Sequence, residues 1–243
     1  VKNKKSMVIN QFHSIGDILF IEPICRHIWK TTGQKPVLPV RDHLMYLSEY
    51  IESAIFVRLS EFTFDQDSMS MENPNYLPLR FANQVIRKLS PHDHSDLENM
   101  MLDKYTLAKM DPSLWIGIDL KFNNARALKL MKLLGITQSS KYILVNNYSQ
   151  AGKVKIKPFN AHKFQVIEMK EIPGFSVIDW HLVILYAQEN HHVSTSTFYL
   201  MQAIKNKFNF DSRVFLYPRP SEDGLRGISK LNPTYKFIKC ELE

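Results

Sequence analysis

The apolar run from Met7 to Phe12 ends in a short polar loop, and apolar residues at helical spacing begin directly behind it. Ile18, Ile21, Cys25, Ile28 and Trp29 form that helical face, and Gly33 closes it. Val37 to Val40 and Ile55 to Leu59 read as two further short strands, with a weak helix from Asp42 between them. A strand-helix-strand-helix-strand order is the signature of an open parallel sheet. Pro23 falls inside the helical run, where it kinks the helix or delays its start.

The alternation resumes later in the chain. Tyr76 to Leu79 offers a further strand, the stretch from Glu61 to Asn75 is polar and irregular, and Asp96 to Leu134 is mostly helical. Leu128, Met131 and Leu134 share one face there, and Gly135 supplies the stop. Strands at Tyr142 to Asn146, Val166 to Met169, near His192, and Val214 to Tyr217 alternate with helices from Asp179 to Gln188 and from Thr197. The reading is α/β: two small Rossmann-like domains, residues 1–137 and 138–243, facing a cleft, with the C-terminal tail returning to the first.

Composition narrows the function. The 31 basic and 24 acidic side chains give a net charge of +7, which favours anionic partners such as nucleotide sugars, nucleic acid or a membrane surface. The basic residues are dispersed apart from Lys2 to Lys5 and Lys153 to Lys163, and no basic-aromatic ladder appears, so no specific nucleic-acid partner is expected. Cys25 and Cys240 are too few for a disulfide framework or a thiolate zinc site. No apolar run approaches a membrane span. A soluble, cytoplasmic protein is expected.

Two stretches carry chemistry. Gly16-Asp17 puts a carboxylate at the mouth of the first helix, where it serves as a cap or as a general base facing a cleft. Ser194, Thr195, Ser196 and Thr197 put hydroxyls at the start of a late helix, where they cap it or hold a phosphate.

The wider pattern Asn10-Gln11-Phe12-His13-Ser14-Ile15-Gly16-Asp17, with Pro23 beyond it, resembles the N-terminal motif of the heptosyltransferase-like glycosyltransferases (glycosyltransferase family 9). Ser194 to Ala203 looks like that family's donor turn, although the family's acid, glycine and histidine are replaced by Ser194, Ser196 and Tyr199. The resemblance implies a GT-B fold and an inverting, metal-independent transfer from a nucleotide-diphosphate sugar, with no cofactor beyond that co-substrate. It makes the first domain acceptor-side and the second the nucleotide-sugar domain. Asp17 then deprotonates the acceptor hydroxyl, with His13, Ser14 and Gly16 beside it. Ser194, Thr195, Ser196 and Thr197 hold the diphosphate together with Asn147 and Lys153, whose loop occupies a phosphate-facing place in the family. Glu222 is assigned to a ribose hydroxyl. Lys153 also fits an ordinary solvated face, and His13 an ordinary loop histidine. Asp179 reads as an N-cap and Trp180 as packing.

Other motifs point elsewhere. His92-Asp93-His94 and His191-His192 lack the spacing and third ligand of a metal site and read as a loop and a strand edge. Asp65-Gln66-Asp67 superficially resembles the Asp-x-Asp motif of GT-A enzymes but stands in a polar loop. Neither a phosphate-binding P-loop nor a nucleophile elbow is present. Two rivals keep the same fold: a non-catalytic carbohydrate- or nucleotide-binding module, and a sugar-nucleotide epimerase or hydrolase.

Overall fold

A computed structural model describes residues 6–12, 14–63, 72–89, 97–149, 152–193, 195–217 and 236–237. The chain forms two compact units, Val1–Lys121 and Phe122–Glu243. His13, Ser194 and Glu222, together with Asp65–Asp67, His92–His94 and Cys240, lie outside the described residues.

In the first unit, β1 (Val8–Ile9), β2 (Val37–Val40), β3 (Ile55–Arg58) and β4 (Tyr76–Leu77) form a parallel sheet in the order β3-β2-β1-β4. β1 is shorter than the run Met7 to Phe12 because the Gln11 amide donates back to the Ile9 carbonyl (3.2 Å), turning the chain out of the sheet. Two helices follow, α1 (Ile15–Phe20) and α2 (Glu22–Thr32). Pro23 stands in the first turn of α2, where its missing N–H removes no helical bond, and Gly33 ends α2 at φ 76°. Ile18, Leu19, Phe20, Ile24 and Cys25 are buried with Ile9, Leu38 and Val40. Trp29 is not part of that core. It is 36% exposed, with the Lys35 ammonium 4.4 Å from its ring centroid.

The weak helix at Asp42 is a 3-10 helix, Asp42–Glu49. The long helical stretch breaks into α3 (Ala82–Leu89), α4 (Leu97–Leu107), a 3-10 segment (Pro112–Gly117) and α5 (Asn124–Leu133). The buried face of α5 is Ala127, Leu130 and Met131; Leu128 is exposed.

In the second unit, β5 (Tyr142–Asn146), β8 (Gln165–Glu168), β9 (Glu189–Val193), β10 (Arg213–Tyr217) and β11 (Lys236–Phe237) form a parallel sheet in the order β11-β10-β9-β5-β8. Between β5 and β8 lies an antiparallel ribbon of β6 (Tyr148–Ser149) and β7 (Gly152–Lys153). A 3-10 turn (Val177–Trp180), α6 (His181–Tyr186) and α7 (Ser196–Lys207) complete it. Every residue of β5 and β9 is buried, as expected of parallel strands covered on both faces.

Four expectations change. β9 is a five-residue central strand, so His191 and His192 are buried inside the sheet rather than placed at its edge. Polar residues hide its strand pattern, and they are tolerated because each finds a partner: His191 Nε2 meets Glu189 (3.1 Å), its Nδ1 meets the Tyr217 hydroxyl (2.7 Å), and Asn190 bonds Ile184 O (2.9 Å). The described part of the tail, Lys236–Phe237, pairs with β10 instead of returning to the first sheet. The division falls at Lys121/Phe122 rather than near residue 137, because α5 is tied to the second unit. Arg126 donates to Asp179 through Nε (3.2 Å) and Nη2 (3.1 Å), and Phe122 stacks on His181 at 4.5 Å. Asp179 is the third helical residue of a capping box whose N-cap is Ser176, while Trp180 packs in the core.

Candidate functional site

In an open parallel sheet, ligands meet the chain beyond the carboxyl ends of the strands, where the strand order reverses. Each sheet here has one such point. In the first it lies between β1 and β4, since β2 and β3 continue on the other side of β1. The chain leaving β1 there carries Asn10, Gln11, Ser14 and Asp17. Asn10 is pinned to β4 by two bonds, its N to Leu77 O (2.9 Å) and its Nδ2 to Tyr76 Oη (2.6 Å), and to the turn behind β4 by a third, its O from Arg80 N (2.8 Å). Asn10 Oδ1 and Gln11 Oε1 are buried without a hydrogen-bond partner among the described residues. The Arg80 guanidinium lies over the Phe12 ring (4.6 Å) and the Phe81 ring (5.1 Å).

Ser14 caps α1, so Gly16 sits inside the first helical turn rather than in a turn before it. The Ser14 hydroxyl accepts from Asp17 N (3.2 Å) and donates to Asp17 Oδ2 (2.7 Å). Oδ1 of the same carboxylate takes a hydrogen bond from Nζ of Lys104 on α4. The Lys104 side chain is 6% exposed and that of Asp17 25%, so the pair is sealed at the amine and open at the acid. Burial lowers the Lys104 pKa, and the Asp17 charge opposes that shift. One residue on, Tyr105 donates to the Phe20 carbonyl (2.8 Å) and meets the Phe20 ring edge-on at 5.2 Å. Glu22, next along the motif, is buried and held for the scaffold by Arg26 (3.1 Å) and by the Asp119 amide (2.9 Å). Burial raises its pKa against those contacts.

In the second sheet the order reverses between β5 and β9. Asn146 ends β5, and Thr195 and Thr197 open α7 behind β9. Asn146 Nδ2 donates to both threonine hydroxyls (3.3 Å each), which meet each other at 3.0 Å. Thr195 stands at the N-cap of α7 without a side-chain bond to the helix backbone. Its hydroxyl is committed to this cluster instead, next to Ser196. The result is a polar, hydroxyl-lined start to a twelve-residue helix, the arrangement that suits an anion.

Asn147 and Lys153 are both engaged by an acid. Both converge on Glu168 at the end of β8: Asn147 Nδ2 at 3.0 Å and Lys153 Nζ at 3.0 Å. Lys153 also lies 5.0 Å from the Tyr148 ring centroid. The Asn147 hydrogen bond, with Lys153, pulls the Glu168 pKa down, and the hydrogen bond that Lys153 donates to Glu168 raises that of Lys153. Among the described residues no group of three or more His, Cys, Asp or Glu is placed to hold a metal ion, and no helix is long and apolar enough to cross a membrane.

Sequence reading misses two residues here, Lys104 and Glu168. Lys104 gives no signal, because a lysine on a helix ordinarily points to water. Glu168 ends an unremarkable strand. Asn146 does give one: an amide closing an otherwise apolar strand marks the point where the chain leaves the core.

These two parallel-sheet units define the fold class, which is that of the GT-B glycosyltransferases. Similar solved structures include the iron-containing dodecameric glycosyltransferase TibC of enterotoxigenic E. coli, at TM-score 0.56 and 11% identity over 90% of this chain. This chain spans 59% of the TibC chain. A family 9 glycosyltransferase of Veillonella parvula matches at TM-score 0.51 and 11% identity, covering 98% of this chain and 87% of that one. ADP-heptose LPS heptosyltransferase II of E. coli matches at TM-score 0.51 and 8% identity, covering 97% and 90%. A TibC structure in complex with ADP-D-β-D-heptose also matches, at TM-score 0.51 and 10% identity over 90% of this chain and 59% of that one. No protein-family model and no curated protein sequence matches the chain.

Proposed function

We propose that this chain is a glycosyltransferase that moves a sugar from a nucleotide-diphosphate sugar to a hydroxyl of a glycan or glycoconjugate, with inversion and without a metal ion. The observation that carries the reading is Asp17: a carboxylate at the reversal point of the first sheet, gripped at both oxygens and open to solvent at one side. Its open side leaves room for an acceptor hydroxyl to hand it a proton. In the reaction, the acceptor oxygen attacks the anomeric carbon and its proton passes to Asp17 as the bond to the diphosphate breaks.

The diphosphate is assigned to the start of α7, with Ser194, Thr195, Ser196 and Thr197 around it and Asn146 ordering the two threonines. Amide and hydroxyl donors at a helix start stabilise the departing charge. Asn147 and Lys153 join them by leaving Glu168 for the phosphate. Ser14 and Gly16 shape the acceptor side, and His13 and Glu222 keep their sequence-based assignments to the acceptor and the ribose. Cys25 is a buried free thiol, which suits a reducing, cytoplasmic setting. ADP-sugars lead the donor panel, because the TibC complex carries one. Thermal shift with ADP-, UDP-, GDP- and dTDP-sugars, followed by nucleoside diphosphate release, tests the reading. Stabilisation by a donor together with release that requires Asp17 supports it; binding without turnover favours the non-catalytic module.

A further inference from the structure

The interior of the first unit holds a buried lysine whose ammonium reaches the proposed base. Lys104 lies on the buried side of α4, next to the equally buried Asp103, and its neighbour Tyr105 already fastens α4 to α1 through the Phe20 carbonyl and ring. Phe20 in turn stacks on Trp115 at 5.9 Å. The contacts that fasten α4 there are aromatic. An ammonium taken out of water carries a desolvation cost that an ion pair offsets only in part, and an apolar side chain of the same length serves a core better. What the lysine adds is one contact, on Oδ1 of Asp17.

That contact has a geometric consequence. A carboxylate held at one oxygen can swing about its Cβ–Cγ bond; a donor on the other oxygen fixes its plane. Because α4 is locked to α1 one residue further on, the second donor is rigid. We infer that Lys104 is the positioning residue of the proposed base: by committing Oδ1 of Asp17, it directs proton uptake from the acceptor hydroxyl onto Oδ2, the oxygen shared with Ser14. The proton moves from the acceptor oxygen to Oδ2, the Ser14 hydroxyl hydrogen rotates away, and Lys104 keeps its own protons throughout. This inference rests on Asp17 being the base.

The test is a double-mutant cycle on full-length chain, with the nucleotide sugar of an ADP-, UDP-, GDP- and dTDP-sugar panel that the wild type turns over fastest, read as nucleoside diphosphate release. Lys104→Met should lower kcat about 10- to 100-fold with KM for that nucleotide sugar unchanged, the range expected of a misplaced catalytic group. Lys104→Gln, which still offers an N–H to Oδ1, should recover part of the rate, and it carries the comparison if the methionine variant does not fold. Because Lys104 acts only through Asp17, the pair Asp17→Asn/Lys104→Met should be no slower than Asp17→Asn alone. A wild-type rate for Lys104→Met beside an inactive Asp17→Asn overturns the role of Lys104 and leaves the base standing. A double variant slower than Asp17→Asn also overturns it, since the lysine would then be acting on the scaffold. A wild-type rate for Asp17→Asn instead removes the base assignment itself.

Discussion

Asp17 and Lys104 form an ion pair across 87 positions of sequence, with the acid a quarter exposed and the amine sealed inside the first unit. The two sides of the pair therefore differ in what their loss costs. Removing the acid strands a cation in the core, whereas removing the amine leaves an anion that water can reach.

Asp17→Asn should accordingly lower stability at neutral pH by about 1–3 kcal/mol, with Lys104→Met costing less. Adding Lys104→Met to Asp17→Asn should restore most of the loss. Urea titrations of the three variants at pH 7 check this. The same substitution should lower the Lys104 pKa further, since the Asp17 charge opposes the effect of burial. Lysine side-chain NMR across a pH series reads that shift.

Asn146 orders the two threonines at the start of α7. Asn146→Ala should weaken ADP binding about tenfold, and Thr195→Val by a similar factor, because each removes polar groups that are placed to meet a diphosphate. Calorimetric titration with ADP measures both. Unchanged affinity in both variants would remove the diphosphate from this helix start.

Glu168 holds Lys153 and Asn147 with one carboxylate oxygen. If they serve the diphosphate, Glu168→Gln should tighten ADP binding several-fold and Lys153→Met should weaken it. Both effects should shrink as salt rises, since Lys153 is half exposed. Opposite signs in the titrations would assign the trio to the surface alone.

The second unit should lose stability in mild acid. Burial lowers the pKa of His181 to about 4 and that of His192 to about 3, from 6.5 in each case. Between the folded and unfolded values the unfolded chain binds more protons, so stability rises with pH there and is lost as pH falls from 6.5 towards 4. The loss is on the order of 2–3 kcal/mol per ring at pH 4.5. Urea unfolding at pH 7 and 4.5 should show it, and His181→Phe, whose ring keeps the stacking on Phe122, should flatten the dependence.

Much of this fold is written in local pattern. Val37 to Val40 and Tyr142 to Asn146 are apolar runs, and both are strands with those bounds. β9 is opaque because Glu189, Asn190, His191 and His192 look like a surface segment, and bonds among themselves and to Tyr217, Ile184, Ser212 and Asn160 let them be buried. The unit boundary is equally hidden, since Arg126 reveals its partner Asp179 only in three dimensions. At the candidate site, Asp17 stands out through its motif and place behind β1. Lys104 and Glu168 do not, because pairing between distant residues leaves no periodic trace.

The most direct measurement is nucleoside diphosphate release by Asp17→Asn, made with the fastest nucleotide sugar of the panel at a temperature where circular dichroism shows the variant folded. Loss of a general base predicts a rate lower by about 10²–10⁴-fold, with donor affinity within twofold of wild type. A folded Asp17→Asn that releases nucleoside diphosphate at the wild-type rate would contradict the account, and Asp17 would then be a helix-start acid paired with Lys104 for structure alone.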